Sequence, residues 1–84
     1  MNQMIRQLVN QKINNVTPQE LLKLSQQYGF DLSRAQADKI SKMLRGKNID
    51  IFNDQDRRQV LQNISVNIDR RLASEINRMF NEFM

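Results

Sequence analysis

The side chains of this 84-residue chain that could do chemistry are carboxylates, amides, hydroxyls, lysines and arginines, because histidine and cysteine are both absent. The commonest general base and the thiol nucleophile are therefore missing. What remains for a metal is oxygen chemistry, and the densest acidic stretch is Asp50-Ile51-Phe52-Asn53-Asp54-Gln55-Asp56. A calcium loop of the EF-hand type needs oxygen ligands at alternate positions, then a glycine and a distant glutamate. Counted from Asp50, the third position is Phe52, and counted from Asp54, the fifth is Arg58. These acids suit a helix start, where carboxylates complement the positive end of the helix dipole. Nothing reads as a G-x-S-x-G elbow, and neither of the two glycines belongs to a phosphate loop. The expectation is a protein that is not an enzyme, with no catalytic, cofactor-binding or metal-ligating residues.

The cationic side chains are the other chemical resource. Arg34, Lys39, Lys42, Arg45 and Lys47 face only Asp38 over residues 34–47, so this stretch carries as much excess charge as the whole chain, +4. They form the candidate binding set, with phosphate as the ligand. The segments 19–28 and 33–45 also have the outline of a helix-turn-helix. Their connection is long for that motif, Asp38 would repel phosphate, and no aromatic residue is interleaved to stack on bases. Twenty residues are Asn or Gln, so the polar faces are built largely from neutral amides. A nucleic-acid-binding module is accordingly the second reading and a solvated basic face the simpler one.

Helices must position these groups. Met4, Ile5, Leu8, Val9 and Ile13 recur at helical spacing and predict a helix over about 2–14. Thr17, Pro18 and Glu20 make a capping box with proline at the first helical position, and Val16 can staple onto Leu21. The second helix then runs over 18–28 and stops at Gly29. Ser33 with Gln36 starts a third, over 34–45, burying Ala37, Ile40 and Leu44, with Gly46 as its stop. Ile49, Ile51 and Phe52 read as anchors that turn the following loop into the core, since leaving each in water forgoes about 1.5–3 kcal/mol. Asn53 caps a fourth helix over 54–65. Ile64, Val66 and Ile68 alternate as in a strand, but a lone strand has no partner. A break near residues 65–67 and a last helix over 68–81 is the preferred reading, with one continuous or kinked helix as the alternative.

The chain end is rich in large apolar residues. Met79, Phe80 and Phe83 either close the core or form an interface for a second copy or another protein. With no cysteine, no signal-peptide-like apolar run at the N-terminus and no segment of roughly 18 apolar residues, the expected setting is the cytoplasm.

The segment from Thr17 to Phe52 resembles the central part of a small family of uncharacterised proteins from Bacillus-type bacteria, a domain of unknown function. The features that carry the likeness are Thr17-Pro18, Gln36-Ala37, and Leu44-Arg45-Gly46-Lys47-Asn48 followed by Ile51-Phe52. The resemblance covers nearly the whole chain. It implies an all-helical domain of bacterial origin and supplies no activity, cofactor or site residue.

The expected fold is all-α, a bundle of four to five short helices in one domain over 1–84. The expected function is a non-enzymatic interaction domain for a protein partner or for itself. Nucleic acid is the less favoured partner, and neither a membrane nor a small-molecule substrate is indicated.

Overall fold

Two capping boxes set the first half of the structure, a computed structural model that describes residues 3–82. Thr17 Oγ1 accepts from the Glu20 N–H, and Glu20 Oε1 accepts from the Thr17 N–H, both at 3.2 Å. Ser33 and Gln36 repeat the arrangement at 3.1 and 2.9 Å. Each box satisfies backbone donors that a helix start leaves without intrahelical partners, a contribution of about 1 kcal/mol. Val16 and Leu21, on either side of the first box, are both buried and form the staple.

Five helices follow in order: α1 (Gln3–Asn14), α2 (Pro18–Tyr28), α3 (Arg34–Leu44), α4 (Asp54–Asn67) and α5 (Arg70–Glu82). Gly29 ends α2 in the left-handed conformation, φ 75°, and both its N–H and that of Phe30 reach the Ser25 carbonyl. A side chain at this φ would carry a steric penalty, so glycine is the fitting stop. Arg45 is the C-cap of α3 rather than its last residue. Asn53 caps α4 by accepting from the Asp56 N–H at 3.1 Å.

The α4–α5 boundary corrects the expected one. The chain breaks at Ile68–Asp69 and not at residues 65–67, so α4 is longer than expected and α5 starts later. Ile68 leaves helical geometry at φ −127°, ψ −74°, while its N–H and that of Asp69 both go to the Ile64 carbonyl. Asp69 then accepts from the N–H groups of Arg71 and Leu72 at 2.7 and 3.3 Å. That aspartate is an N-cap, and it makes two helices rather than a single bent one.

α2 packs on α3 and α4 on α5, with α3 meeting α4 between the two pairs. One core draws on all five helices: Ile13 from α1, Leu21 from α2, Ile40 and Leu44 from α3, Val60 and Ile64 from α4, and Leu72, Ile76, Met79 and Phe80 from α5. Val16 and Ile51 join it from the connecting segments. The buried hydroxyls of Ser25 and Ser41 bond back to the carbonyls of Leu22 and Asp38, so neither is left unsatisfied. Arg78 reaches from α5 to the Tyr28 carbonyl at 2.8 Å, placing a cation at the negative end of α2. The radius of gyration, 11.8 Å, is that of a close-packed domain of this length, about 12 Å.

Candidate functional site

The apolar stripe of α1 is only half used by the core. Ile13 is buried and Val9 half-buried, but Met4, Ile5 and Leu8 are 71%, 45% and 57% exposed. At 100° per residue, Met4, Leu8, Ile5, Val9 and Ile13 form one continuous arc that passes from solvent into the body. Where the arc meets the body there is a cleft of about 390 Å³ between α1 and α2. Val9, Lys12 and Ile13 form its α1 wall; Glu20, Lys23, Leu24 and Gln27 form its α2 wall, and Val16 lies between them.

The charge across this cleft is internally balanced. Lys12 Nζ lies 3.4 Å from Glu20 Oε2, with the lysine side chain 80% exposed. Hydrogen bonds from Thr17, the hydroxyl first and then the backbone N–H, hold the Glu20 carboxyl below its ordinary value, and Lys12 adds to the effect. A carboxyl with a lowered value keeps its stabilising ionised contacts above the unfolded-state range. It loses them only as pH falls below the usual 4.5 and through the folded value. The cap and the ion pair are therefore complete at neutral pH. A small polar ligand would need buried converging polar groups, whereas the charged ends here lie at the rim.

Two asparagines fasten α1 to the loop after α3. Asn14 Nδ2 donates to the Ile49 carbonyl and Asn14 Oδ1 accepts from the Ile49 N–H, both at 2.8 Å. One turn earlier, Asn10 Oδ1 accepts from the Ile51 N–H at 3.0 Å and Asn10 Nδ2 donates to Asp50 Oδ1 at 2.8 Å. The Gly46 N–H reaches the Asn14 carbonyl at 3.1 Å. The amides thus pair with the loop backbone much as a neighbouring strand would. Asn14→Ala leaves the Ile49 N–H and C=O without these partners in a partly buried site, a loss of about 1–3 kcal/mol. Urea unfolding measures it, and Asn14→Asp, which keeps the acceptor and loses the donor, should not restore the full stability.

The acidic stretch is spent on this same junction. Asp50 Oδ1 also accepts from the Phe52 N–H, Asp56 Oδ2 accepts from the Asp50 N–H, and Asp54 pairs with Arg57 at 2.6 Å. Among the described residues, no group of three or more carboxylates is placed to hold a metal ion. Ile51 is fully buried as expected of an anchor, whereas Ile49 and Phe52 are half-buried, with the Arg6 guanidinium 5.3 Å from the Phe52 ring centre.

All five candidate cations, Arg34, Lys39, Lys42, Arg45 and Lys47, are exposed. Arg34, Lys42 and Arg45 share one stripe of α3 with Asp38, and Arg34 is drawn towards that carboxylate at 3.8 Å. Lys39 lies further round the helix and Lys47 follows Gly46, so the set is spread over more than one direction. Arg57 does not extend it, being 17% exposed and bonded to Asp54 and to the Ile51 carbonyl.

The C-terminal candidates divide differently. Met79 and Phe80 are 2% and 1% exposed, which places them in the core and not at an interface, because α5 turns its apolar face onto α4. Phe83 lies outside the described residues. Among the described residues, the exposed large apolar side chains are Met4, Ile5 and Leu8, grouped on α1, and Val66 on α4. The sequence signal for the α1 group was present in Met4, Ile5 and Leu8, but periodicity alone does not say which half of a stripe is covered.

The class these elements define is an all-α bundle of five short helices, with an apolar cleft on one side and a basic helix flank. The chain belongs to a family described as "Protein of unknown function (DUF2624)", which it matches over residues 1–84. It is similar to the "Uncharacterized protein YqfT" of Bacillus subtilis (strain 168), with 34% identity over 80 residues that cover 95% of each chain. The likeness to an uncharacterised Bacillus-type family read from the sequence is thereby confirmed. No solved structure matches the chain. Among the described residues, no helix is long and apolar enough to cross a membrane.

Proposed function

We propose that this protein is a non-enzymatic interaction domain, working in the cytoplasm, that binds another protein chain through the α1–α2 face. One observation carries the reading: Met4, Ile5 and Leu8 lie exposed on a single helix and run without interruption into the cleft lined by Val9, Ile13 and Leu24. A small domain gains stability from every apolar side chain it buries, so a contiguous apolar surface left outside is the mark of a docking site. The amphipathic ridge and groove suit helix-in-groove recognition.

Nucleic-acid binding by α3 is the second reading, favoured by the exposure of Arg34, Lys39, Lys42, Arg45 and Lys47. One experiment separates the two. The tagged protein is used to recover partners from native cell extract, with and without nuclease, beside the variants Leu8→Asp and Lys42→Glu/Arg45→Glu. Docking through α1 predicts a defined protein, resistant to nuclease, lost with Leu8→Asp and kept by the double variant. Recovery that depends on nucleic acid and on Lys42 and Arg45 would replace this reading with the second.

A further inference from the structure

We infer that the α1–α2 face takes an amphipathic helix of another protein whose apolar stripe is flanked by carboxylates. This rests on the docking reading above and names the chemistry of its partner. At 100° per residue Lys12 falls inside the apolar arc of α1, between Leu8 and Ile5, and it lies one turn from both Leu8 and Val9. A surface that covers those side chains therefore covers the Lys12 ammonium as well. Taking a cation out of water is costly unless a carboxylate arrives with the surface that covers it. Glu20 alone does not meet that need. One of its oxygens is held by Thr17, and the other lies 3.4 Å from a Lys12 side chain that is 80% exposed. An ammonium has three donors, so Lys12 can keep this contact and donate to a second carboxylate.

Lys23 repeats the demand from the α2 wall of the cleft. It is exposed, and among the described residues it forms no ion pair. Over residues 3–28, which span both helices of this face, Arg6, Lys12 and Lys23 stand against Glu20 alone, an excess of +2. The far edge of the arc is neutral, with Gln7 and Gln11 beside Met4. Other occupants match this pattern less well. A second copy brings an α1 that has Arg6 and Lys12 and no acid, so cations would meet cations. A bilayer surface is flat and does not enter a cleft, and an interfacial helix carries Lys and Arg along its polar face, where α1 has Gln3, Gln7 and Gln11. From Met4 to Ile13 the arc is about 14 Å long at 1.5 Å per residue, room for partner side chains at i, i+4 and i+7.

Selection from a displayed library of helical peptides against the full chain tests it. Leucine is fixed at i, i+4 and i+7, and the flanking positions are drawn from Glu, Gln and Lys. The expected result is about tenfold enrichment of Glu over Lys, in peptides whose binding weakens as salt is raised. Leu8→Asp should lose the selected peptides, and Lys12→Glu/Lys23→Glu should invert the preference to Lys, both with unchanged circular dichroism spectra. Equal enrichment of Glu and Lys, or a preference that the double variant leaves unchanged, would overturn the acidic partner; loss on Leu8→Asp would then still uphold the docking face. No selected peptide, with Leu8-dependent sedimentation as a dimer or with phosphatidylglycerol vesicles, would overturn the proposal and assign the face to a second copy or to lipid. No selected peptide and nothing that depends on Leu8 would overturn the docking reading with it.

Discussion

Phe80→Ala is expected to lower the unfolding free energy by about 3–5 kcal/mol, the range for truncating a buried phenylalanine. The side chain is 1% exposed and sits in the core with Ile64, Leu72 and Ile76, so its removal leaves a cavity that rigid helices fill poorly. A domain of this length has about 4–12 kcal/mol to lose, at 0.05–0.15 kcal/mol per residue. The variant should be marginal or unfolded at 37 °C, and a loss of 3 kcal/mol alone lowers the melting temperature by roughly 12–24 °C. Chemical and thermal unfolding read the effect directly. A loss under about 1 kcal/mol is the signature of a surface position. It would return Phe80 to the set of interface candidates and contradict the packing of α5 on α4.

The second large effect is expected in the loop between α3 and α4. Ile51→Ala should cost about 2–5 kcal/mol, because Ile51 is fully buried and joins the central cluster from outside any helix. Phe52→Ala should cost less, although phenylalanine is the larger residue. Its ring is half-buried and covered on one face by Arg6, an arrangement worth about 0.5–1 kcal/mol beyond its packing. The ranking is the test. Paired urea melts showing Phe52→Ala as the more damaging change would mean that the loop plugs the core with the aromatic ring and that Asn10 does not fix the register.

These two positions show where sequence reasoning reached and where it stopped. Helix starts were legible wherever a side chain signs them locally: Thr17 with Glu20, Ser33 with Gln36, and Asn53 before Asp54. The ends at Tyr28 and Leu44 followed from the glycines close behind them. Asp69 is an equally local cap, but it follows the run of Ile64, Val66 and Ile68, whose ambiguous spacing drew the expected break towards Ser65. Of the three loop anchors expected from the sequence, Ile51 is fully buried, while Ile49 and Phe52 are half-buried against the core. What selects Ile51 is a hydrogen bond from its backbone to Asn10, forty-one residues away. The candidate site was the least legible part. An amphipathic stripe records that a helix has an apolar side, and only tertiary placement reveals that α1 projects half of that side beyond the body. Basic residues were easy to find, yet the structure spreads them and sets Asp38 within their row.

The asparagine clasp on α1 also bears on the order in which the fold assembles. α2 with α3 and α4 with α5 are neighbours along the chain and close through short turns, so their contacts are local and fast. The clasp joins residues 35 to 41 positions apart, and its closure entropy is met only after the loop beyond α3 has a place to lie. α1 is thus expected to dock late, after the two hairpins have formed, and to open before they part. Interactions made late act on one rate only. A partner gripping α1 would slow unfolding while leaving the folding rate where it was, so binding would show as a longer lifetime of the native state rather than as quicker folding.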